Sequence, residues 1–289
     1  MDDLRFWIWL SFLDLNPSEK ICLLNKYGDP EKIFKIKKED LKTIPDRIVT
    51  ELLDKNKRNS IKEKINIIIE KNIKVIRYID KEYPENLKNI YGFPIVLYAR
   101  GNINLLKSNN MVSIVGCREC SNYGREIAYK LGDYLSRKDI VVISGLAKGI
   151  DVSSHIGALK NDCKTIAVLG SGIDYIYPYQ NKNIYEQIIK GGGLVISEYL
   201  PGVNPEKTYF PMRNRIISGL SDIVIIVEAK AQSGSLITAD LALEQGKEIF
   251  VVPGNINSPT SKGTNNLIKD GAQILTSVED IINTLNKYW

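Results

Sequence analysis

Residues 111–124, MVSIVGCRECSNYG, set a short apolar run (Val112–Val115) against a glycine turn (Gly116-Cys117-Arg118) and then open a helix through Ser121-Asn122-Tyr123-Gly124. A run apolar at nearly every position suits a strand buried on both faces, and a strand that turns directly into a helix begins a parallel crossover unit. The same pattern recurs downstream. Candidate strands Ile140–Ile143, Ile166–Leu169, Leu194–Ile196, Ile223–Val227, Ile249–Val252 and Gln273–Leu275 alternate with helix-length amphipathic stretches. The pattern predicts an α/β fold, a doubly wound and mostly parallel sheet over residues 107–289.

Upstream the period changes. Over residues 1–72 the apolar positions recur at helical spacing (Phe6, Ile8, Trp9, Phe12 and Leu13, then Ile21, Leu23 and Leu24, later Ile48, Leu52 and Leu53), with breaks at Asn16-Pro17, Gly28-Asp29-Pro30 and Ile44-Pro45. This predicts a small helical bundle, with Pro17 and Pro30 in first turns, where a missing N–H costs nothing. The aromatic cluster Phe6, Trp7, Trp9 and Phe12 is expected in its core. Residues 73–106 hold two β-rich pieces, Val75–Tyr78 and Ile95–Tyr98, interrupted by Pro84, Gly92 and Pro94, and are expected to form a connector with edge strands.

Of the 39 Lys and Arg, 21 lie in residues 1–110, as do 16 of the 34 Asp and Glu; that leaves 18 of each sign downstream. The C-terminal two thirds is therefore neutral, and anion binding there has to rest on local geometry. No apolar run approaches the roughly 20 residues of a membrane span, and Met1-Asp2-Asp3 lacks the positive start of a secretory signal, so the expected compartment is the cytoplasm, with no membrane partner. Four scattered cysteines are too few for a disulfide framework.

Ligands of such sheets sit at the carboxyl ends of the strands, where this chain places its glycines. The turns are Gly116-Cys117-Arg118, Ser144 to Gly149, Gly170-Ser171-Gly172, Ser233-Gly234-Ser235 and Pro253-Gly254. Glycine admits close backbone approach, and helix N-termini present unpaired N–H groups, so several such loops on one edge make an anion-binding rim, with Ser121, Ser171, Ser233, Ser235 and Thr238 as hydroxyl donors. Any one loop alone can be glycine for steric reasons. There is no G-x-x-x-x-G-K-[ST] run, and the first turn is not G-x-G-x-x-G, which argues against the common nucleotide sites and leaves no expected cofactor. A second feature, residues 204–216 (NPEKTYFPMRNRI), gathers Lys207, Arg213 and Arg215 with Tyr209, Phe210 and Asn214. Cations for phosphates beside flat rings for unstacked bases are what single-stranded nucleic acid requires.

In order along the chain, Ile114-Val115-Gly116-Cys117-Arg118, the runs SGLAKGIDVSSHIGAL (144–159) and TIAVLGSGIDYIYP (165–178), Phe210–Ile217, Ser233–Thr238 and Val252-Pro253-Gly254 resemble the DNA-processing protein A family (DprA, also called Smf). The resemblance implies a Rossmann-like domain preceded by a small SAM-like helical domain. It implies a protein that is not an enzyme, that binds single-stranded DNA without strong sequence preference, that dimerises through the Rossmann-like domain, and that hands incoming DNA to RecA recombinase in natural transformation or related recombination. By position it implies Arg118 and Lys207 on phosphates and Phe210 on a base. Gly116, Ser121, Gly170, Ser171, Gly172, Ser233, Gly234 and Ser235 would complete the pocket, braced by Arg213 and Asn214. Cys117 stands where the family usually has serine. Tyr179 takes the place of a basic residue that follows Tyr-Pro in some members, and the pattern ends near Trp289 without the winged-helix-like domain of many members.

The pair Cys117 and Cys120 has no second ligand pair, so no metal is expected. His155 matches no hydrolase motif and is expected to be structural, near Asp151. A rival enzyme reading, a nucleotide-cleaving phosphoribohydrolase on the same kind of sheet, expects P-G-G-x-G-T-x-x-E; the loop from Ala231 to Asp240 lacks that Glu.

Overall fold

The computed structural model describes residues 2–286; Met1 and residues 287–289 of the predicted C-terminal domain lie outside. Along the chain the elements are α1 (Asp2–Phe12), α2 (Pro17–Tyr27), α3 (Pro30–Lys35), α4 (Asp46–Leu53), α5 (Lys55–Glu70), β1 (Lys74–Arg77), α6 (Glu85–Lys88) and β2 (Val96–Gly101). Then come β3 (Met111–Val115), α7 (Asn122–Arg137), β4 (Val141–Ser144), α8 (Ile150–Leu159), β5 (Thr165–Leu169), α9 (Lys182–Lys190), β6 (Leu194–Ser197) and α10 (Tyr209–Leu220). Last are β7 (Ile223–Ile226), α11 (Gly234–Glu244), β8 (Glu248–Val251), α12 (Lys262–Lys269), β9 (Gln273–Ile274) and α13 (Val278–Leu285). None of these helices is long and apolar enough to cross a membrane.

The strands form one sheet in the order β1-β2-β6-β5-β4-β3-β7-β8-β9, parallel from β6 to β9. The chain starts at β3 in the middle, winds outward to β6, then crosses over through α10 to β7 on the other side of β3. Loops leaving β3 and β7 therefore diverge, and the crevice between them is the switch point where such sheets bind ligands. Every residue of β3, β4, β5, β6 and β7 is buried, as their continuous apolar runs predict.

The segment 73–106 departs from expectation. Only β1 is an edge strand; β2 pairs antiparallel with both β1 and β6, and Val96, Leu97, Tyr98 and Ala99 are all buried. The connector is thus part of the sheet. Its two strands cover an edge that β6 would otherwise leave open, and an open edge of unpaired N–H and C=O groups favours aggregation.

The helices at the N-terminus follow their local signals. Asn16 and Asp29 cap α2 and α3, accepting from Glu19 N at 2.9 Å and Lys32 N at 2.8 Å, with Pro17 and Pro30 in the first turns. Phe6, Trp7 and Trp9 are buried, and Trp9 meets Phe34 edge-on at 5.0 Å. This bundle is not closed on itself: Trp7, Trp9 and Leu24 share one core with Val96, Tyr98, Ala167, Leu169 and Val195 of the sheet. The opposite face of the sheet packs on α10 and α11 through Ile216, Ile217, Leu220, Ala239 and Ala242.

Candidate nucleic-acid interface

The loop after β3 is locked to the loop after β7. Cys117 N–H donates to Glu228 O at 2.8 Å, and the buried Glu228 carboxylate accepts from Ser121 N–H at 2.8 Å, Ser121 Oγ at 2.6 Å and Thr260 Oγ1 at 3.0 Å. A carboxylate with three donors at the start of α7 is held in place by its hydrogen bonds. Ser121 also caps α7, accepting from Gly124 N at 3.0 Å. A side chain at Gly116 would put Cβ 2.6 Å from Ile150 Cγ1, so this glycine lets the loop lie against the start of α8. The Cys117 thiol is buried under the same loop, and burial pushes it up.

Behind this loop, Arg213 of α10 runs into the interior. Its guanidinium donates to Gly145 O at 2.6 Å, to Val168 O, and through Nε to Asn214 Oδ1 at 3.1 Å. Gly145 N–H in turn donates to Asp151 Oδ2 at 3.2 Å. Burial lowers the Arg213 pKa to about 10, with Asp151 opposing that shift, and burial raises Asp151, with Arg213 opposing. Gly145 has to be glycine because a Cβ there would sit 2.2 Å from Arg213 Nη1. Arg213 thereby ties the ends of β4 and β5 to α10.

One turn earlier on the same helix, Phe210 emerges at the mouth of the crevice. The exposed Arg118 stands over its ring, guanidinium carbon 5.1 Å from the centroid, and Gly170 passes beneath, where a Cβ would lie 3.0 Å from Phe210 Cδ1. Lys207 lies exposed in the approach to α10 and makes no ion pair among the described residues. A cation over an aromatic face keeps its charge and its remaining donors outward, so this corner offers a ring, two cations and little competing carboxylate.

The expected site residues divide accordingly. Arg118, Gly170, Phe210, Arg213, Asn214 and Gly234 form a chain of contacts, the last link being Asn214 Nδ2 to Gly234 O at 3.3 Å. Arg213 and Arg215 are both interior, so they are not phosphate cations: Arg213 is spent on carbonyls, and Arg215 pairs with Glu198 at 2.6 Å. Ser121 and Ser171 were expected to offer hydroxyls to the ligand, but Ser121 gives both its donors to Glu228 and Ser171 Oγ donates to Tyr175 O at 2.8 Å. Gly172 N–H is likewise taken, by Val203 O at 2.8 Å. The loop 170–172 passes beneath Phe210 with the Ser171 hydroxyl and the Gly172 N–H already engaged. Ser233 opens α11 and shares a 2.7 Å bond with Ser235, while nothing lies within 4 Å of where a Gly234 Cβ would be, so that N-terminus faces open space.

Two participants were not singled out from the sequence. Tyr177 packs its ring 5.6 Å from that of Phe210, although the two are thirty-three positions apart, one in a loop and the other in the first turn of α10. Glu228 is the other, joining the loops after β3 and β7 through Ser121 and Thr260. The other expectations fall as follows: Cys117 and Cys120 are free thiols, and His155 is buried in α8, close to Asp151 in the same helix.

A family model described as DNA recombination-mediator protein A matches residues 74–286. The DNA processing protein DprA of Bacillus subtilis is 38% identical over 278 residues, covering 92% of this chain and 93% of that protein. DprA of Streptococcus pneumoniae is 46% identical over 204 residues, 71% of each chain. The X-ray structure of the pneumococcal protein superposes with a TM-score of 0.84 over 96% of this chain and 97% of that one, at 35% identity. A structure of DNA processing protein A from Helicobacter pylori, solved for its single-stranded DNA binding mode, gives 0.68 over 75% of this chain and 97% of that one, at 34% identity.

Proposed function

The chain belongs to the DNA recombination-mediator protein A family, and from that premise we propose that it binds single-stranded DNA at the β3–β7 crevice, without sequence preference and without catalysing a reaction on it. The observation that carries this reading is the Arg118 guanidinium over the Phe210 ring at 5.1 Å, with Lys207 exposed just before the same helix. A nucleotide laid across this corner stacks its base on Phe210 and places its phosphates on Arg118 and Lys207. All three contacts are blind to base identity, because every base has a π face and every link a phosphate. The Gly234 end of α11 adds a helix N-terminus beside open space, the end that favours an anion. Buried Arg213, on the carbonyls of Gly145 and Val168, holds the floor. The cellular role that follows is to cover incoming single strands and pass them to RecA recombinase in natural transformation or related recombination, with the protein acting as a dimer.

Electrophoretic shift with labelled oligothymidine tests the site. Binding should weaken as salt rises, and Arg118→Ala or Lys207→Ala should each lower the slope of log affinity against log salt by about 0.7, the contribution of one phosphate contact to a single strand. Phe210→Ala should cost about 1–3 kcal/mol of binding free energy. Equal affinity for duplex and single strand, or unchanged affinity in all three variants, contradicts the assignment. Co-sedimentation with RecA filaments on the same oligomer tests the handover separately.

A further inference from the structure

We propose that the single strand runs on from Phe210 to a second base-stacking station formed by Tyr177 and Tyr179, with Lys148 and Lys182 on its phosphates; this rests on the DNA reading above. Tyr175, Tyr177 and Tyr179 occur at every second position and are 42%, 46% and 74% exposed. Single exposed aromatics are ordinary on a protein surface. These three are not scattered: they line one concavity of about 660 Å³ together with Lys148 and Lys182, within the range of ligand sites. The concavity adjoins the first site, because Tyr177 is also the ring beside Phe210, 5.6 Å away and tilted by 38°.

That spacing decides how a base is met. A base sandwiched between two rings needs about 7 Å between them, two contact distances of about 3.5 Å each. At 5.6 Å the rings of Phe210 and Tyr177 leave no room for a base between them, so the two form a stepped platform on which a base meets the exposed side of Tyr177. The segment carrying the tyrosines is tied at both ends: Ser171 Oγ and Tyr175 O are 2.8 Å apart, and Asn181 Nδ2 donates to Leu146 O at 2.9 Å, two residues before Lys148. A platform fixed in advance does not have to be ordered by the ligand.

The charges favour a polyanion. Lys182 Nζ stands 5.6 Å over the Tyr179 ring, its only carboxylate neighbour at salt-bridge range being Glu186 at 4.0 Å, and Lys148 is exposed with no ion pair among the described residues. Asp174 also lines the concavity, but its carboxylate is engaged by Lys71 Nζ at 2.5 Å and by Gly202 N–H at 2.7 Å, both of which hold it low. Cations alternating with rings are the features by which a non-specific single-strand groove tracks its ligand.

The test uses the full-length protein and oligothymidine carrying one 5-iodouracil at stepped positions, irradiated and mapped by mass spectrometry. Adducts are expected on Phe210 and, from a neighbouring nucleotide, on Tyr177 or Tyr179. Tyr179→Ala should weaken a long oligomer about tenfold, Tyr179→Phe should retain binding, and Lys148→Ala with Lys182→Ala should lower the salt slope by about 1.4, two contacts at about 0.7 each. Thermal melting checks that these surface variants are folded. Adducts confined to Phe210, with affinity and slope unchanged in the variants, would overturn the second station and leave the first standing. An absence of salt-dependent binding by the wild type would overturn the DNA reading and the station with it.

Discussion

His155 is fully buried in α8, with Nδ1 2.7 Å from the Thr165 hydroxyl. Thr165 Oγ1 already donates to Val142 O at 2.8 Å, so its oxygen can only accept, and the imidazole proton must be on Nδ1. Nε2 is left buried without a partner. Burial, with the Arg213 charge adding to it, lowers the pKa from 6.5 to about 3. The unfolded chain therefore takes up a proton on His155 below about pH 6.5 that the folded chain refuses. Stability from this group is fully present above that pH and falls as pH drops toward 3, by up to about 1.4 kcal/mol per pH unit. Urea unfolding from pH 7 to pH 4 should show a steep loss in the wild type and a shallower one in His155→Gln; equal slopes would mean the imidazole is not held neutral.

At the scale of the element, α10 does two jobs with one helical period. Phe210, Arg213 and Ile217 lie three or four residues apart and so share a face, which takes the helix from the crevice mouth through the buried cation into the core. Arg215 points elsewhere, to Glu198 at the end of β6, and its Nε and Nη1 are buried without partners. This ion pair fixes the entry to the Lys207–Phe210 segment at a cost in unsatisfied donors. Arg215→Met leaves Glu198 without its cation and should destabilise the fold by about 3 kcal/mol, the low end for a buried pair, since the Glu198 side chain is still 18% exposed. Arg215→Met combined with Glu198→Gln should recover most of that loss, because the uncompensated Glu198 charge is then gone. Chemical denaturation of the two variants measures both. A double variant no better than the single one would show that the pair is not what holds α10.

Across the whole molecule, the N-terminal helices cover a sheet face that the C-terminal elements leave bare. Trp7, Trp9, Leu23 and Leu24 pack with Tyr98, Ala167, Leu169 and Val195, so the core is continuous from α1 to β6. Two regions that share one core unfold together. Calorimetry of the full chain should give one transition whose calorimetric and van't Hoff enthalpies agree. A fragment starting at residue 73 should bind a hydrophobic dye that the full chain does not. Two separated transitions would show instead that the helical part is independent.

Strands β4 to β8 were legible because each holds an uninterrupted apolar run, the pattern of a strand covered on both faces, and β3 because only Ser113 interrupts its run; β9 is an exposed edge strand. Helix starts at Pro17 and Pro30 were legible from cap chemistry, which acts within four residues. The position of the glycine turns at the carboxyl ends of the strands was legible for the same local reason. What the sequence left open depends on neighbours far away in the chain. Whether β2 is edge or interior rests on its pairing with β6, about a hundred residues on. Whether Arg213 and Arg215 face water or the core rests on how α10 docks, and whether Gly116 and Gly145 serve a ligand or make room for Ile150 and Arg213 rests on what lies opposite. The sequence by itself determined a doubly wound sheet with a rim suited to anions, since periodicity and turn chemistry are local. Only the tertiary structure decided that Arg118, Phe210 and Tyr177 form one corner, because two come from separate loops and the third from the start of α10, and these meet nowhere but at the strand ends.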